Sequence, residues 1–187
     1  MNPLFALFMA GALGPASAPV PGVDATGLRK DGYVLLLSPG VLALEVRDPD
    51  FRMYAWGLSG GRLFTGAKRF ATIFGGFFEH NLWVNRLDPE RGDRAAALNF
   101  IRLGPELRLG GSSERVFGYG LARLGIDIVA ARGAPGLASF MVTGGAGIMA
   151  ALTRSRRLLL AFEPAIDYSV PYDLALFRAR VLVGVRF

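Results

Sequence analysis

Hydrophobic and polar residues alternate with a period of two along most of this chain, most plainly over residues 173–187. Phe177, Ala179, Val181, Val183, Val185 and Phe187 fall on one side of that segment, and Arg178, Arg180, Gly184 and Arg186 on the other. This is the period a β-strand imposes, because successive side chains leave opposite faces of the pleat. The rhythm recurs from Gly32 onward between clusters of Gly, Pro, Asp, Asn and Ser, and predicts strands at about 33–46, 51–63, 69–83, 96–109, 115–130, 138–152, 157–169 and 173–187. Eight strands form an even set, which brings both chain ends to one side of the sheet. The connections then divide into tight turns at 65–68, 110–113 and 154–156 on one side, and segments 47–50, 85–95, 131–137 and 170–172 on the other.

The charges fix which face is which. Arg102, Glu106 and Arg108 share a face opposite Ile101, Leu103, Leu107 and Leu109, and Glu163 and Asp167 oppose Leu158, Leu160, Phe162, Ile166 and Tyr168. An Arg or Lys on a lipid face costs roughly 2–4 kcal/mol at the midplane of a bilayer, so the charged faces turn inward. By the same phase Arg115, Tyr119, Arg123 and Asp127 point inward, Val183 faces lipid and Gly184 the lumen. Aromatics near strand ends, among them Tyr54, Trp56, Phe78, Trp83, Tyr168 and Phe187, form interfacial girdles. A last hairpin with its tip at Val170-Pro171 sets Glu163 opposite Arg178 and Asp167 near Leu174, with Arg180 and Glu45 meeting across the closing seam. The predicted fold class is all-β, an eight-stranded antiparallel up-and-down transmembrane β-barrel over residues 32–187.

Composition agrees with that picture. The chain has 187 residues, 52% of them hydrophobic, and a mean hydropathy of +0.37. A lipid-facing surface explains this excess. The rival reading is a membrane helix at 136–153, which lacks charge but is short and centred on Gly144, Gly145 and Gly147. The formal charge of +6 does not indicate nucleic acid, since the basic residues are spaced along strands and turns and no binding motif accompanies them. A positive lumen or a basic rim facing anionic lipid accounts for it. The absence of cysteine removes thiolate catalysis, disulfides and cysteine metal sites. Residues 1–23 hold no side chain that is cationic and an apolar run over 4–13 that leads to Ala16-Ser17-Ala18. This reads as an export signal over 1–18 followed by a linker over 19–31. Pro19 is unfavourable after a scissile bond, which leaves the cut at 18 or a few residues away.

Conventional catalytic chemistry finds little to work with. His80, within FFEHN, is the single histidine, so any imidazole mechanism passes through it. No serine motif matches it, and phase sets Glu79 inward when His80 faces out, as a rim histidine at the aromatic belt. Asp48, Asp50, Asp88 and Glu90 read as solvated loop carboxylates in preference to a metal site. The stretch GYGLARLG at 118–125 lies inside a strand with no helix following, so it is no dinucleotide loop. No catalytic, cofactor-binding or metal-binding residue is assigned. The pairs Gly60-Gly61, Gly75-Gly76 and Gly144-Gly145 suggest kinks or bulges.

The signal-like start, eight alternating strands, tight turns on one side, inward charges and terminal Phe together resemble the small OmpA/OmpX/OmpW-type outer-membrane β-barrels over residues 32–187. The resemblance implies insertion among the lipids of a bacterial outer membrane, with the last strand and Phe187 as the recognition signal for the barrel-assembly machinery. The expected protein is a monomer without cofactor, structural or binding in role and not an enzyme. An eight-stranded interior is just wide enough for side chains to fill. The charge cluster expected to fill it comprises Glu163, Arg178, Arg180, Asp167, Arg102, Glu106, Arg123 and Asp127. The alternatives are a narrow channel for small solutes, a lipid A-modifying enzyme using His80, and a soluble lipocalin-like carrier.

Overall fold

Eight strands follow one another in chain order around a closed barrel, each antiparallel to the next, with the eighth paired back to the first. They are β1 (Gly32–Glu45), β2 (Arg52–Thr65), β3 (Phe70–Val84), β4 (Ala97–Ser112), β5 (Val116–Ala131), β6 (Leu137–Ala151), β7 (Leu158–Val170) and β8 (Leu174–Arg186). A computed structural model describes residues 31–45, 52–66, 69–84, 97–131, 137–153, 155, 157–170 and 173–187. The export segment, the linker up to residue 30, and Asp48, Asp50, Asp88 and Glu90 lie outside the described residues. Glu45 pairs through its backbone with Leu176, and its side chain, like that of Trp83, also lies outside them. Segment 136–153, the rival helix, supplies β6. Glycine-rich and small, it suits a strand packed edge to edge with two neighbours.

The register defines the barrel's geometry. Following paired residues once around gives Val34, Gly61, Gly75, Glu106, Arg123, Thr143, Asp167, Leu176 and then Glu45, which is eleven residues further along β1 than the start. One of the eleven is an extra residue in β1, where pairing with both β2 and β8 shifts between Ser38 and Val41. The shear is therefore ten, and eight strands with that shear give a tilt of about 40° and a backbone radius of roughly 8 Å. The bulge falls at Pro39-Gly40, where proline cannot donate to the ladder. It does not fall at the glycine pairs that the sequence suggested as kinks. Register runs unshifted through Gly60-Gly61, Gly75-Gly76 and Gly144-Gly145.

Outside, the strands present an apolar surface that includes Phe74, Leu124, Val142, Ile166 and Val183. Among the described outward side chains of the strands, Arg62 alone is formally charged. The inside is divided. Toward the tight turns Leu36, Leu63, Ile73, Phe117, Met149 and Leu159 form the largest part of a buried apolar cluster. Beyond it the lumen turns polar. Arg115 does not point into the barrel as its phase suggested: it lies exposed in the β4–β5 turn, where its backbone N–H and that of Val116 donate to Ser113 Oγ at 3.3 and 2.9 Å. This cap ends the pleat before residue 115, so the phase of β5 does not reach it.

Candidate functional site

Five guanidiniums and five carboxylates lie together in the middle of the lumen, each at most 3% exposed: Arg102, Arg108, Arg123, Arg178 and Arg180, with Glu79, Glu106, Asp127, Glu163 and Asp167. They come from β3, β4, β5, β7 and β8. The strands between them keep most of the inward positions beside the cluster small, with Ala55, Gly57, Ser59 and Gly61 on β2 and Ser139, Thr143, Gly145 and Gly147 on β6, where Met141 is the large exception. Large and small walls alternate in this way because a barrel of this radius cannot hold long side chains from every strand. Gly147 illustrates the constraint, since a Cβ there would come within 2.7 Å of the ring of its cross-strand partner Tyr119.

The charges alternate around a closed ring. Arg180 binds Glu79 at 2.5 Å and also Glu163; Arg108 Nε donates to Glu163 at 2.7 Å and Nη1 reaches Glu106. Arg123 then joins Glu106 back to Glu79, at 2.6 Å to each. An arm leaves the ring at Glu79. Arg178 binds Glu79 and, at 2.5 Å, Asp167, and Arg102 bridges Asp167 at 2.8 Å to Asp127 at 2.9 Å. Neutral groups complete the carboxylate shells. Tyr119 donates its hydroxyl to Glu163 at 2.7 Å, Thr143 to Asp167 at 2.7 Å and Ser169 to Asp127 at 2.8 Å, while Arg108 donates to Ser59 Oγ at 3.1 Å. Burying a charge is costly unless it is paired and hydrogen-bonded, and here every charge in the cluster has an opposite partner. The set is neutral as a whole.

All eight residues singled out from sequence are brought together, but not in the expected pairs. In the last hairpin Glu163 stands opposite Arg180, Ala165 opposite Arg178 and Asp167 opposite Leu176, a slip of two residues from the register expected. The connection extends to Asp173, which takes a left-handed φ of 49° and accepts the Tyr168 hydroxyl at 2.8 Å. Asp tolerates that conformation, so β8 starts one residue later than alternation suggests. A slip of two preserves every facing, which is why the inward set survives it. Two members were absent from the selected eight. Arg108 carried the right phase, and Glu79 the right phase conditional on His80, but nothing in local sequence marks Glu79 as the residue that accepts from three guanidiniums.

His80 lies on the other side of the wall. Its Nε2 is 3.2 Å from Asn99 Oδ1 and its ring is 6.0 Å from that of Trp56, within an outward girdle that includes Tyr54 and Phe78. At the opposite end Tyr33 stacks on Phe187 with centroids 6.1 Å apart, near outward Phe64 and Phe70. Among the described residues no group of three or more His, Asp or Glu is arranged to hold a metal ion.

A closed eight-stranded barrel with an apolar outer band, aromatic residues toward both ends and, Arg62 apart, its described strand charges turned inward has the architecture of the small outer-membrane β-barrels. Comparison with solved structures gives the same fold. The chain is similar to Ail, the attachment invasion locus protein of Yersinia pestis, in its complex with the heparin analogue sucrose octasulfate. The TM-score is 0.53 at 13% identity, over 84% of this chain and 97% of that one. The N-terminal β-barrel domain of Pseudomonas aeruginosa OprF also matches, with a TM-score of 0.46 and 11% identity over 83% of this chain and 98% of that one. No protein-family model matches the sequence, and no curated protein does.

Proposed function

We propose that this protein is an integral barrel of the bacterial outer membrane with a structural or binding role, its lumen sealed by the buried ion network. The observation that carries this reading is the closed ring Glu79–Arg180–Glu163–Arg108–Glu106–Arg123, which spans an interior of roughly 8 Å backbone radius. A solute would have to part several buried ion pairs to pass, and each guanidinium stripped of its partners would be left as an uncompensated charge. The contacts of His80 with Asn99 and Trp56 support an anchoring part at the rim in preference to acid–base work. Planar-bilayer recording tests the seal. Wild-type protein should give no discrete conductance steps, and replacing Glu79 and Arg123 together by Ala should introduce them; steps of a defined size from the wild type would overturn the reading in favour of a narrow channel.

Location and assembly belong to the same proposal. Residues 1–18 act as the export signal, and Phe187 closes the signal read by the barrel-assembly machinery. Deleting Phe187 should reduce the amount of heat-modifiable barrel in outer-membrane fractions, while the purified variant still folds in detergent. Equal yields in cells would remove Phe187 from that role.

A further inference from the structure

Because the lumen cluster is neutral, the formal charge of +6 must reside elsewhere, and it is distributed very unevenly between the two ends of the barrel. The three tight connections contain Lys68 and Arg69, then Arg115, then Arg154, Arg156 and Arg157, and the adjoining strand ends add Arg62 and Arg186. Against these eight cations the same end carries Asp31 and Glu114. The connections at the other end, residues 45–52, 85–96, 131–137 and 170–173, hold six basic and seven acidic residues. Residues 1–30 hold Asp24, Arg29 and Lys30, whose net +1 offsets the −1 of those connections, so the excess of six cations at the tight-turn end equals the net charge of the whole chain.

Arg62 shows what surrounds that end. It is the outward charge on the β2 wall, its guanidinium lies 4.8 Å above the ring of Phe64, and its backbone is paired with that of Tyr33, which stacks on Phe187. A cation on a lipid-facing wall is tolerated near the interface, where its stem lies along apolar surface while its head reaches water and phosphate. Arg69, Arg115 and Arg157 are exposed around the same rim. They are carried on three separate hairpins around the circumference. A partner that encircles the barrel can reach all of them. Guanidinium groups pair with phosphate oxygens in bidentate fashion, and basic residues at a membrane surface attract anionic lipid.

We propose that the tight-turn rim is a binding surface for the phosphate headgroups of anionic glycerophospholipids, engaged by Arg62, Arg69, Arg115 and Arg157. In barrels of this architecture the short turns lie on the periplasmic side, so the leaflet concerned is the inner one. This rests on the reading of the chain as a membrane barrel, and the experiment separates the two. The full chain is folded into phosphatidylcholine vesicles containing a minority of phosphatidylglycerol, and its association with spin-labelled forms of each lipid is compared. Wild type should favour the phosphatidylglycerol label at least about threefold at low salt, as a cluster of surface cations implies. Replacing the four arginines by Gln should bring the ratio near one, whereas replacing Arg47, Arg86, Arg91 and Arg94 by Gln should leave it unchanged. Raising NaCl to about 1 M, where the screening length is about 3 Å, should abolish the preference in the wild type and reads the same interaction without any substitution. A wild-type ratio near one, a preference that survives salt, or a preference undiminished in the rim variant would overturn the proposal. A wild type that shows no heat-modifiable band in any vesicle would instead count against the membrane barrel itself.

Discussion

Glu79 is the residue on which the interior converges, since Arg123, Arg178 and Arg180 all donate to its carboxylate. Glu79→Gln removes the charge at nearly constant volume and leaves three buried guanidiniums short of a partner. It should lower the stability of the barrel by about 3–5 kcal/mol, read from urea titration of the folded form in vesicles. Tyr119→Phe removes one neutral donor to Glu163 and should cost less, about 1–3 kcal/mol in the same assay. The pairing of Glu163 with Arg180 in place of Arg178 gives a sharper test. Glu163→Gln combined with Arg180→Gln should show a coupling of about 1–3 kcal/mol in a double-mutant cycle, larger than that of Glu163→Gln with Arg178→Gln. A larger coupling with Arg178 than with Arg180 would return the hairpin to the register that alternation alone suggests.

The strands were legible because each has two unlike faces, so a period of two could be counted from Phe177 to Phe187 or from Ile101 to Leu109 without reference to the rest of the chain. What alternation does not encode is the length of a connection. The two-residue slip at β7–β8 changes no facing, and so leaves no trace in the hydrophobic pattern. The Pro39-Gly40 bulge is illegible for a related reason: an extra residue inside an apolar strand disturbs a pattern that is weak there already. Close packing also limits which substitutions can report on facing. A Cβ at Gly184 would lie 2.2 Å from the Leu35 carbonyl oxygen, so Gly184→Asp fails for want of space and says nothing of the lumen. Depth along the outer face of β8 is the better probe. Val181→Lys, near the middle of the strand, should cost about 2–4 kcal/mol in vesicles, whereas Val185→Lys, near its end, should cost about 0–1 kcal/mol. Equal costs would be expected of a soluble barrel, not of one in a bilayer.

For the molecule as a whole, the ion network was legible as a set of inward charges and illegible as a ring, because its closing contacts join residues about half the chain apart, Glu79 on β3 to Arg178 and Arg180 on β8. Sequence phase gives the face of each strand. The meeting of one strand with another across the lumen depends on shear, which exists only once all eight registers are set. That distance also gives the ring a meaning in time. A chain made as far as β7 has all five inward carboxylates and only three of the five guanidiniums, so its interior carries two uncompensated negative charges and cannot be withdrawn from water without penalty. The last strand supplies the missing two. The strand that closes the sheet is thus also the one that neutralises the interior, and a chain cut before β8 should lack both the seam and the charge balance.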